Sequence, residues 1–160
     1  QISWLLVLFG AEISFANQNI ERYEHESESL NISHFYRRIL TLLIAKTVIR
    51  NFEQGNKPYT ASEIAHKLGL PIRIVRGILF ELTDANIFNE IISENIDKAF
   101  QPAVDIHKIT VKYIIETLDK KGHDDIKIEQ TEDLKKIAHA QESFFKAFEK
   151  TPENKLLKDI

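Results

Sequence analysis

Apolar residues recur at helical spacing in two short, adjacent runs between positions 60 and 82. In the first run the apolar face comprises Ile64, Ala65 and Leu68. In the second run the apolar residues are Ile72, Val75, Leu79 and Leu82. This periodicity is typical of amphipathic helices that each bury one face. Because only residues 69–71 separate the two runs, the pattern predicts a helix-turn-helix.

The residues at the ends of the two runs support the same prediction. Thr60 and Glu63 have the spacing of a capping box, in which each side chain binds the other residue's backbone N–H group. Gly69 can adopt the left-handed conformation that ends a helix, and Pro71 suits the first position of the next one. A tight turn at Gly69 is therefore expected between the two helices.

Two further amphipathic stretches predict helices that flank this motif. The longer begins at the cap residue Ser33, extends to about Gln54 and is apolar around much of its circumference. The shorter covers residues 111–121, with Thr110 as its cap and Gly122 after its end.

A third amphipathic stretch, residues 131–150, predicts a last helix with an aromatic face that includes Phe144, Phe145 and Phe148. Such a face must be covered by the rest of the chain or by a partner. Pro152 ends the helix, and we expect the residues that follow to be loosely held.

A β-hairpin is predicted directly after the helix-turn-helix. Residues 87–92 are rich in strand-forming side chains, residues 93–97 resemble a turn, and residues 98–101 could return as a second strand before Pro102. A helix-turn-helix followed by a two-stranded hairpin is a winged helix. The predicted fold is therefore mainly α: a winged helix-turn-helix domain with a small β-hairpin wing and flanking long helices.

The N-terminal segment is the most apolar part of the chain. Residues 2–9 are almost purely apolar, and small residues follow as far as position 16. Spanning a bilayer takes about 20 apolar residues, so this run is too short to do so alone. It fits the last half of a membrane helix or a buried helix of a soluble domain. Glu12 would be an intramembrane or interfacial polar residue in the first case.

The domain boundaries follow from these patterns. We expect residues 1–19 to be the end of a transmembrane helix and residues 20–32 to be a polar linker. Residues 33–122 would form the winged-helix domain, and residues 123–160 a linker and an amphipathic helix. Because the chain starts at Gln1 and has no Met, we expect it to be the C-terminal part of a longer product.

Composition excludes several classes of chemistry. The 160 residues include no cysteine, which removes disulfides, thiolate-ligated iron–sulfur clusters and cysteine-based zinc sites. The six histidines do not have metal-ligand spacing on any one helix, and no phosphate-binding loop or nucleophile elbow is present. We therefore expect no catalytic residue, no metal, no cofactor and no enzymatic activity.

Charge argues against strong binding to nucleic acid. The outer face of the second helix of the motif carries Arg73, Arg76, Gly77, Phe80 and Asp84. Residues 59–100 have four basic and six acidic side chains, a net charge of −2, whereas duplex binding needs several positive contacts. The candidate nucleic-acid contacts are Thr60, Ser62, Arg73, Arg76 and Lys98. The candidate protein-contact surface is Gly77, Phe80, Phe144, Phe145 and Phe148.

Several stretches resemble known families. The start, SWLLVLFGAEISFANQN, with Trp4 and Gly10-Ala11-Glu12, resembles the end of the last membrane helix in the YihY/BrkB family of bacterial integral membrane proteins. The stretches YTASEIAHKLGLPIRIVRGILFEL and AFQPAVDIHKIT resemble the winged-helix tail of some members and are also similar to Rrf2-type regulators. The chain lacks the cysteines that ligate a cluster in many Rrf2 proteins, which argues against redox sensing.

The first resemblance implies a location in the bacterial inner membrane, with this part mainly on the cytoplasmic side. The leading hypothesis is a cytosolic regulatory or protein-interaction domain whose partner is its own membrane domain or a second copy. The alternative is a soluble Rrf2-like transcription regulator that binds DNA and dimerises through the helix of residues 131–150. A ribonuclease BN activity, which the YihY/BrkB family is often said to have, is a minor alternative because no nuclease site is present.

Overall fold

The structure is a computed structural model that describes residues 32–92, 97–122 and 129–160. The expected membrane-helix remnant of residues 1–19, Glu12 and nearly all of the expected linker lie outside the described residues. The packing reported below is that of residues 37–160.

The described chain is mainly helical, with a small antiparallel sheet, and it has the winged-helix fold that the sequence predicts. In chain order the elements are α1 His34–Glu53, β1 Tyr59–Thr60, α2 Ala61–Leu68, α3 Ile72–Asp84, β2 Phe88–Ile92, β3 Lys98–Pro102, α4 Val111–Asp119, α5 Glu132–Glu149 and a 3₁₀ turn Leu157–Asp159. The two helices of the helix-turn-helix are α2 and α3, and the strands of the wing are β2 and β3.

The predicted caps of α2 are confirmed. The hydroxyl of Thr60 accepts a hydrogen bond from the backbone N–H of Glu63 at 3.3 Å, and Thr60 N donates to Glu63 Oε2 at 2.7 Å. At the other end Gly69 has a φ of 62°, a conformation that costs glycine little and most other residues more. The N–H of Leu70 then donates to the carbonyl of Ala65 at 3.0 Å, which fixes the turn between α2 and α3.

The sheet has three strands in the order β1-β3-β2. In the wing, Phe88 pairs with Pro102 and Ile92 pairs with Lys98, so the hairpin is confirmed within one residue of its predicted ends. The first strand was not predicted. It has only two residues, and Tyr59 and Thr60 of this strand pair with Phe100 and Ala99 of β3. The tip of the wing, residues 93–96, lies outside the described residues.

The core forms where the inner face of α1 meets the helix-turn-helix, the sheet and α4. Full burial of an aliphatic or phenylalanine side chain contributes about 1.5–3 kcal/mol of transfer free energy. The fully buried large side chains include Ile44, Val48, Ile49, Ile64, Ile78, Leu79, Leu82, Ile87, Phe88, Ile109, Ile114 and Leu157.

The end of the chain is packed against this core, so the expectation of a loose tail is wrong. Leu157 is only 1% exposed, and its N–H donates to the carbonyl of Ile109 at 2.9 Å. The side chain of Asn154 accepts a hydrogen bond from the N–H of Lys112 in the first turn of α4. Lys158 forms an ion pair with Glu53 of α1 at 3.0 Å. We call residues 154–159 the C-terminal strap.

The helix α5 has no buried residue among its eighteen positions. It is joined to α4 by an ion pair between Lys112 and Glu149, whose side-chain atoms lie 2.9 Å apart. Phe144 is 68% exposed, and its ring meets that of Phe145 edge to face at 6.2 Å between centroids. Among the described residues, Phe144 is thus the exposed member of the predicted aromatic face, while Phe145 and Phe148 are half-buried.

None of the helices in the described part of the chain combines the length and the apolar character needed to cross a membrane.

Candidate nucleic-acid interface

The second helix of the motif, α3, presents one outward face along its whole length. Arg73 and Phe80 are seven residues apart, so they lie on the same side of the helix two turns from each other. Arg76 lies between them and is exposed, whereas Arg73 is half-buried. Phe80 is 65% exposed. We call Arg73, Arg76 and Phe80 the outer face of α3.

Gly77 borders this face on the side that meets α1. A Cβ atom at Gly77 would lie 3.6 Å from Nη2 of Arg37, so the arginine side chain approaches α3 at this position. The same Nη2 donates a hydrogen bond to Glu81 Oε1 at 2.7 Å. The lack of a side chain at Gly77 thus leaves room for the side chain of Arg37 from α1.

The carboxylates around the motif are engaged with partners inside the protein. Besides Glu81, which pairs with Arg37, Asp84 at the end of α3 pairs with Lys121 beyond α4. Glu90 in the wing pairs with Lys98 at 2.8 Å. These ion pairs neutralise carboxylate charge close to the outer face of α3.

Two of these partners, Arg37 and Lys121, lie outside the window of residues 59–100 from which the net charge of −2 was counted. When both are included, the motif and its partners have six basic and six acidic side chains and no net charge. The charge count of residues 59–100 therefore overstates the negative charge of the motif, because two of its carboxylates have their partners elsewhere in the sequence.

The remaining candidate contacts lie at the start of α2 and in the wing. The hydroxyl of Thr60 takes part in two hydrogen bonds of the capping box. It accepts one from the backbone N–H of Glu63 and donates one to Glu63 Oε2 at 3.1 Å. Ser62 is exposed on the first turn of α2. Lys98 at the start of β3 has a side chain that is 71% exposed. Of these three residues, Ser62 and Lys98 are the better placed to meet a ligand.

Sequence reasoning counted Lys67 but gave it no role. Its Nζ donates to the hydroxyl of Tyr59 at 2.8 Å and lies 4.9 Å from the centroid of that ring. Lys67 is in the last turn of α2, so the pair joins the end of this helix to the strand β1. Tyr59 and Lys67 are eight positions apart in the sequence, one in β1 and the other in α2. Their contact could not be predicted from this spacing alone, because β1 was not predicted.

The expected protein-contact residues fall on two different helices. Gly77 and Phe80 lie on α3, while Phe144, Phe145 and Phe148 lie on α5. Phe148 and Phe145 are half-buried, so Phe144 is the most exposed of the three aromatic residues on α5.

The described residues contain no cluster of three histidine, aspartate or glutamate side chains that could hold a metal ion. Two pKa values in α4 are shifted by ion pairing. Hydrogen bonds from Lys120 and then Lys112 lower the pKa of Glu116. The hydrogen bond to Glu149 raises the pKa of Lys112. Both shifts arise in the network that joins α4 to α5.

No protein-family model matches the chain, and no curated protein matches it. Solved structures do resemble it. CymR (YrzC), described as the global cysteine regulator of B. subtilis, is 17% identical with a TM-score of 0.53, and the match covers 81% of this chain and 95% of that one. The IscR of T. potens is 15% identical with a TM-score of 0.49, covering 74% and 79%. Staphylococcus aureus CymR is 18% identical with a TM-score of 0.43, covering 77% and 89%.

These comparisons correct the leading hypothesis. The resemblance to the YihY/BrkB family is wrong, and so are the inner-membrane location and the membrane partner inferred from it. The likeness in fold to CymR covers 81% of this chain. The apolar run of residues 2–9 misled the interpretation because it resembles half of a membrane helix.

The order of the two hypotheses is therefore reversed. A membrane-protein interaction domain is no longer supported, and the likeness of fold to CymR fits the alternative hypothesis better than the leading one.

Proposed function

We propose that this protein is a transcription regulator that binds duplex DNA through its winged helix, with α3 in the major groove. The observation that carries the proposal is the outer face of α3, a helix that carries two arginines and two carboxylates, the carboxylates being paired with side chains from elsewhere in the protein. In helix-turn-helix proteins the second helix reads base edges near its N-terminal end. Arg73 and Arg76 occupy the first five residues of α3.

Each candidate contact has a role that follows from its chemistry. An arginine can donate two hydrogen bonds to the O6 and N7 atoms of guanine, and Arg76 is the more exposed of the two arginines on α3. Ser62 would donate to a backbone phosphate from the first turn of α2. Lys98 would exchange its exposed ion pair with Glu90 for a phosphate, a small loss because exposed pairs contribute only about 0–1 kcal/mol.

We further propose that the active form is a dimer held by α5. An exposed aromatic residue on an otherwise polar helix is typical of an interaction site, and α5 has no buried residue in the part of the chain that the structure describes. A dimer also suits the ligand, since helix-turn-helix dimers bind two half-sites about one turn of DNA apart. Phe144 is the expected centre of this interface.

The proposal is tested by retardation and fluorescence anisotropy with fragments of genomic DNA at low salt. We expect duplex binding that weakens steeply as salt rises, because phosphate contacts release counterions. Arg76→Ala should weaken binding about tenfold and relax the preference for guanine at the position that Arg76 contacts. Arg50→Ala is the matched control, because Arg50 is an exposed arginine on α1 and not on α3.

Two results would contradict the proposal. One is the lack of retardation at low salt across the whole set of genomic fragments. The other is an equal loss of binding for Arg76→Ala and Arg50→Ala, which would indicate attraction by overall charge and not by the outer face of α3.

A further inference from the structure

Phe80 is the largest exposed apolar side chain on α3. A phenylalanine that is 65% exposed keeps most of its ring in contact with water, which is unfavourable unless a ligand covers it. Its position is fixed by that of Arg73, because seven residues make almost two complete helical turns. A surface that follows the outer face along the whole of α3 therefore meets Arg73, Arg76 and Phe80.

Phe80 stands between an arginine and two paired carboxylates. Arg76 is exposed one turn before it on the same face, and the space beside Gly77 is approached by the side chain of Arg37. Glu81 is paired with Arg37 and Asp84 with Lys121. The exposed ring thus lies next to carboxylates whose charge is neutralised within the protein, which suits contact with an apolar group.

Resting on the proposed function, we infer that Phe80 determines part of the sequence specificity by packing against the 5-methyl group of a thymine. In the major groove thymine is the base that presents a methyl group, and phenylalanine is among the side chains that contact it. Arginine reads guanine in the same groove. The outer face of α3 would then read guanine with its arginines and thymine with its aromatic ring.

The spacing of the two contacts follows from helix geometry. A rise of about 1.5 Å per residue separates Arg73 from Phe80 by about 10 Å along the helix axis. Successive base pairs are about 3.4 Å apart. The thymine should therefore lie about three base pairs from the base that Arg73 meets, on the side toward the C-terminal end of α3.

The experiment uses the full chain and the tightest duplex selected from random sequences. Each thymine of that duplex is replaced in turn by deoxyuridine, which keeps every hydrogen-bonding group and removes only the methyl. We expect one position in each half-site at which the replacement weakens binding about fourfold, the loss expected for one buried methyl group. The Phe80→Ala variant should bind the duplex with thymine at that position and the duplex with deoxyuridine there equally well.

The matched control is Phe52→Ala, which removes an exposed phenylalanine from α1 and should leave the effect of deoxyuridine unchanged. Phe80→Leu, which retains an aliphatic side chain, should keep part of the effect. Thermal unfolding of each variant shows that it is folded, and Phe80 has no part in the buried core.

The possible failures are distinguishable. If the wild-type protein binds no duplex, the proposed function fails. If it binds but no deoxyuridine has an effect, or if Phe80→Ala retains the full effect, this inference is overturned and the proposed function stands. A change of oligomeric state in Phe80→Ala, with the methyl effect intact, would identify Phe80 as a protein contact and would also overturn the inference.

Discussion

Nη2 of Arg37 lies 2.7 Å from Oε1 of Glu81, and this ion pair joins the first helix to the second helix of the winged-helix motif. The two residues are 44 positions apart in the sequence. Their side chains are partly exposed, so the pair contributes little to stability. Its importance is electrostatic, because it neutralises a carboxylate next to the outer face of α3.

Removing the arginine should expose that carboxylate to the phosphates of DNA. We expect Arg37→Ala to weaken duplex binding about fivefold, equivalent to about 1 kcal/mol, through repulsion by Glu81. The free energy of unfolding should fall by less than about 1 kcal/mol. Fluorescence anisotropy and urea unfolding measure the two effects separately.

The double variant Arg37→Ala, Glu81→Gln provides the control for this prediction. It has the same net charge as the wild type and no free carboxylate at position 81, so most of the lost affinity should return. An affinity as low as that of Arg37→Ala would show that the arginine itself, and not the repulsion by Glu81, is what binding requires.

Thr60 should act as a helix cap and not as a contact to DNA. Its hydroxyl is bonded to Glu63 within the capping box, and replacing such a cap by alanine costs about 1 kcal/mol. Thr60→Ala should lower the free energy of unfolding by that amount, and Thr60→Ser should restore it. Ser62→Ala, made at an exposed neighbour, should leave stability unchanged and weaken DNA binding modestly. An unchanged stability of Thr60→Ala would refute the assignment.

Leu157 should be among the more sensitive positions of the chain. It is buried against a core that includes Ile109, and truncating a buried leucine to alanine costs about 2–5 kcal/mol. Urea unfolding of Leu157→Ala should show this loss. Ile160→Ala, made three residues later at a half-exposed side chain, is the control and should change stability by less than about 0.5 kcal/mol. Equal stabilities of the two variants would mean that the C-terminal strap is not held in solution.

Stability at acid pH should depend on Glu116. Its pKa is lowered in the folded state by hydrogen bonds from Lys120 and Lys112. Folding therefore favours the ionised carboxylate, and this stabilisation is present above the unfolded value of 4.5 and is lost as the pH falls through the folded pKa. Glu116→Gln should be less stable than the wild type at pH 7, and the difference should disappear in acid. A difference between Glu116→Gln and the wild type that does not change with pH would contradict the prediction.

Self-association should depend on Phe144. Placing a charge at this exposed position, as in Phe144→Asp, should separate an α5 dimer into monomers because the carboxylate would be buried without a partner. Sedimentation velocity over a range of concentrations measures this change. Phe52→Asp, at an exposed phenylalanine of α1, should leave the dimer intact. A wild-type protein that remains monomeric at high concentration would exclude this part of the proposal.

Local sequence signals predicted the local structure well. We could predict the capping box at Thr60, the left-handed conformation of Gly69 and the hairpin from the sequence, because each depends on residues within a few positions of one another. We did not predict the strand β1, because a strand of two residues is too short to show an alternation of apolar and polar side chains. The C-terminal strap was missed because Leu157 packs with residues about fifty positions earlier, and the segment itself is short and polar.

The candidate site was harder to predict than the fold. Arg73 and Arg76 were identified from helical spacing alone, but their electrostatic setting was not. A charge count along residues 59–100 treats Glu81 and Asp84 as free, whereas their partners Arg37 and Lys121 come from elsewhere in the chain. The N-terminal apolar run then shifted the interpretation toward a membrane protein, since composition alone does not distinguish half of a membrane helix from a buried one.

The C-terminal strap also sets an order of events during synthesis. The contacts within the helix-turn-helix join residues of one short stretch, so this motif can form soon after position 82 has left the ribosome. The pairing of Ile109 with Leu157 has to wait until Leu157 itself has been translated and has left the ribosome. During that interval the nascent chain exposes the site on its core that Leu157 will cover, and this is when binding by a chaperone would be most useful.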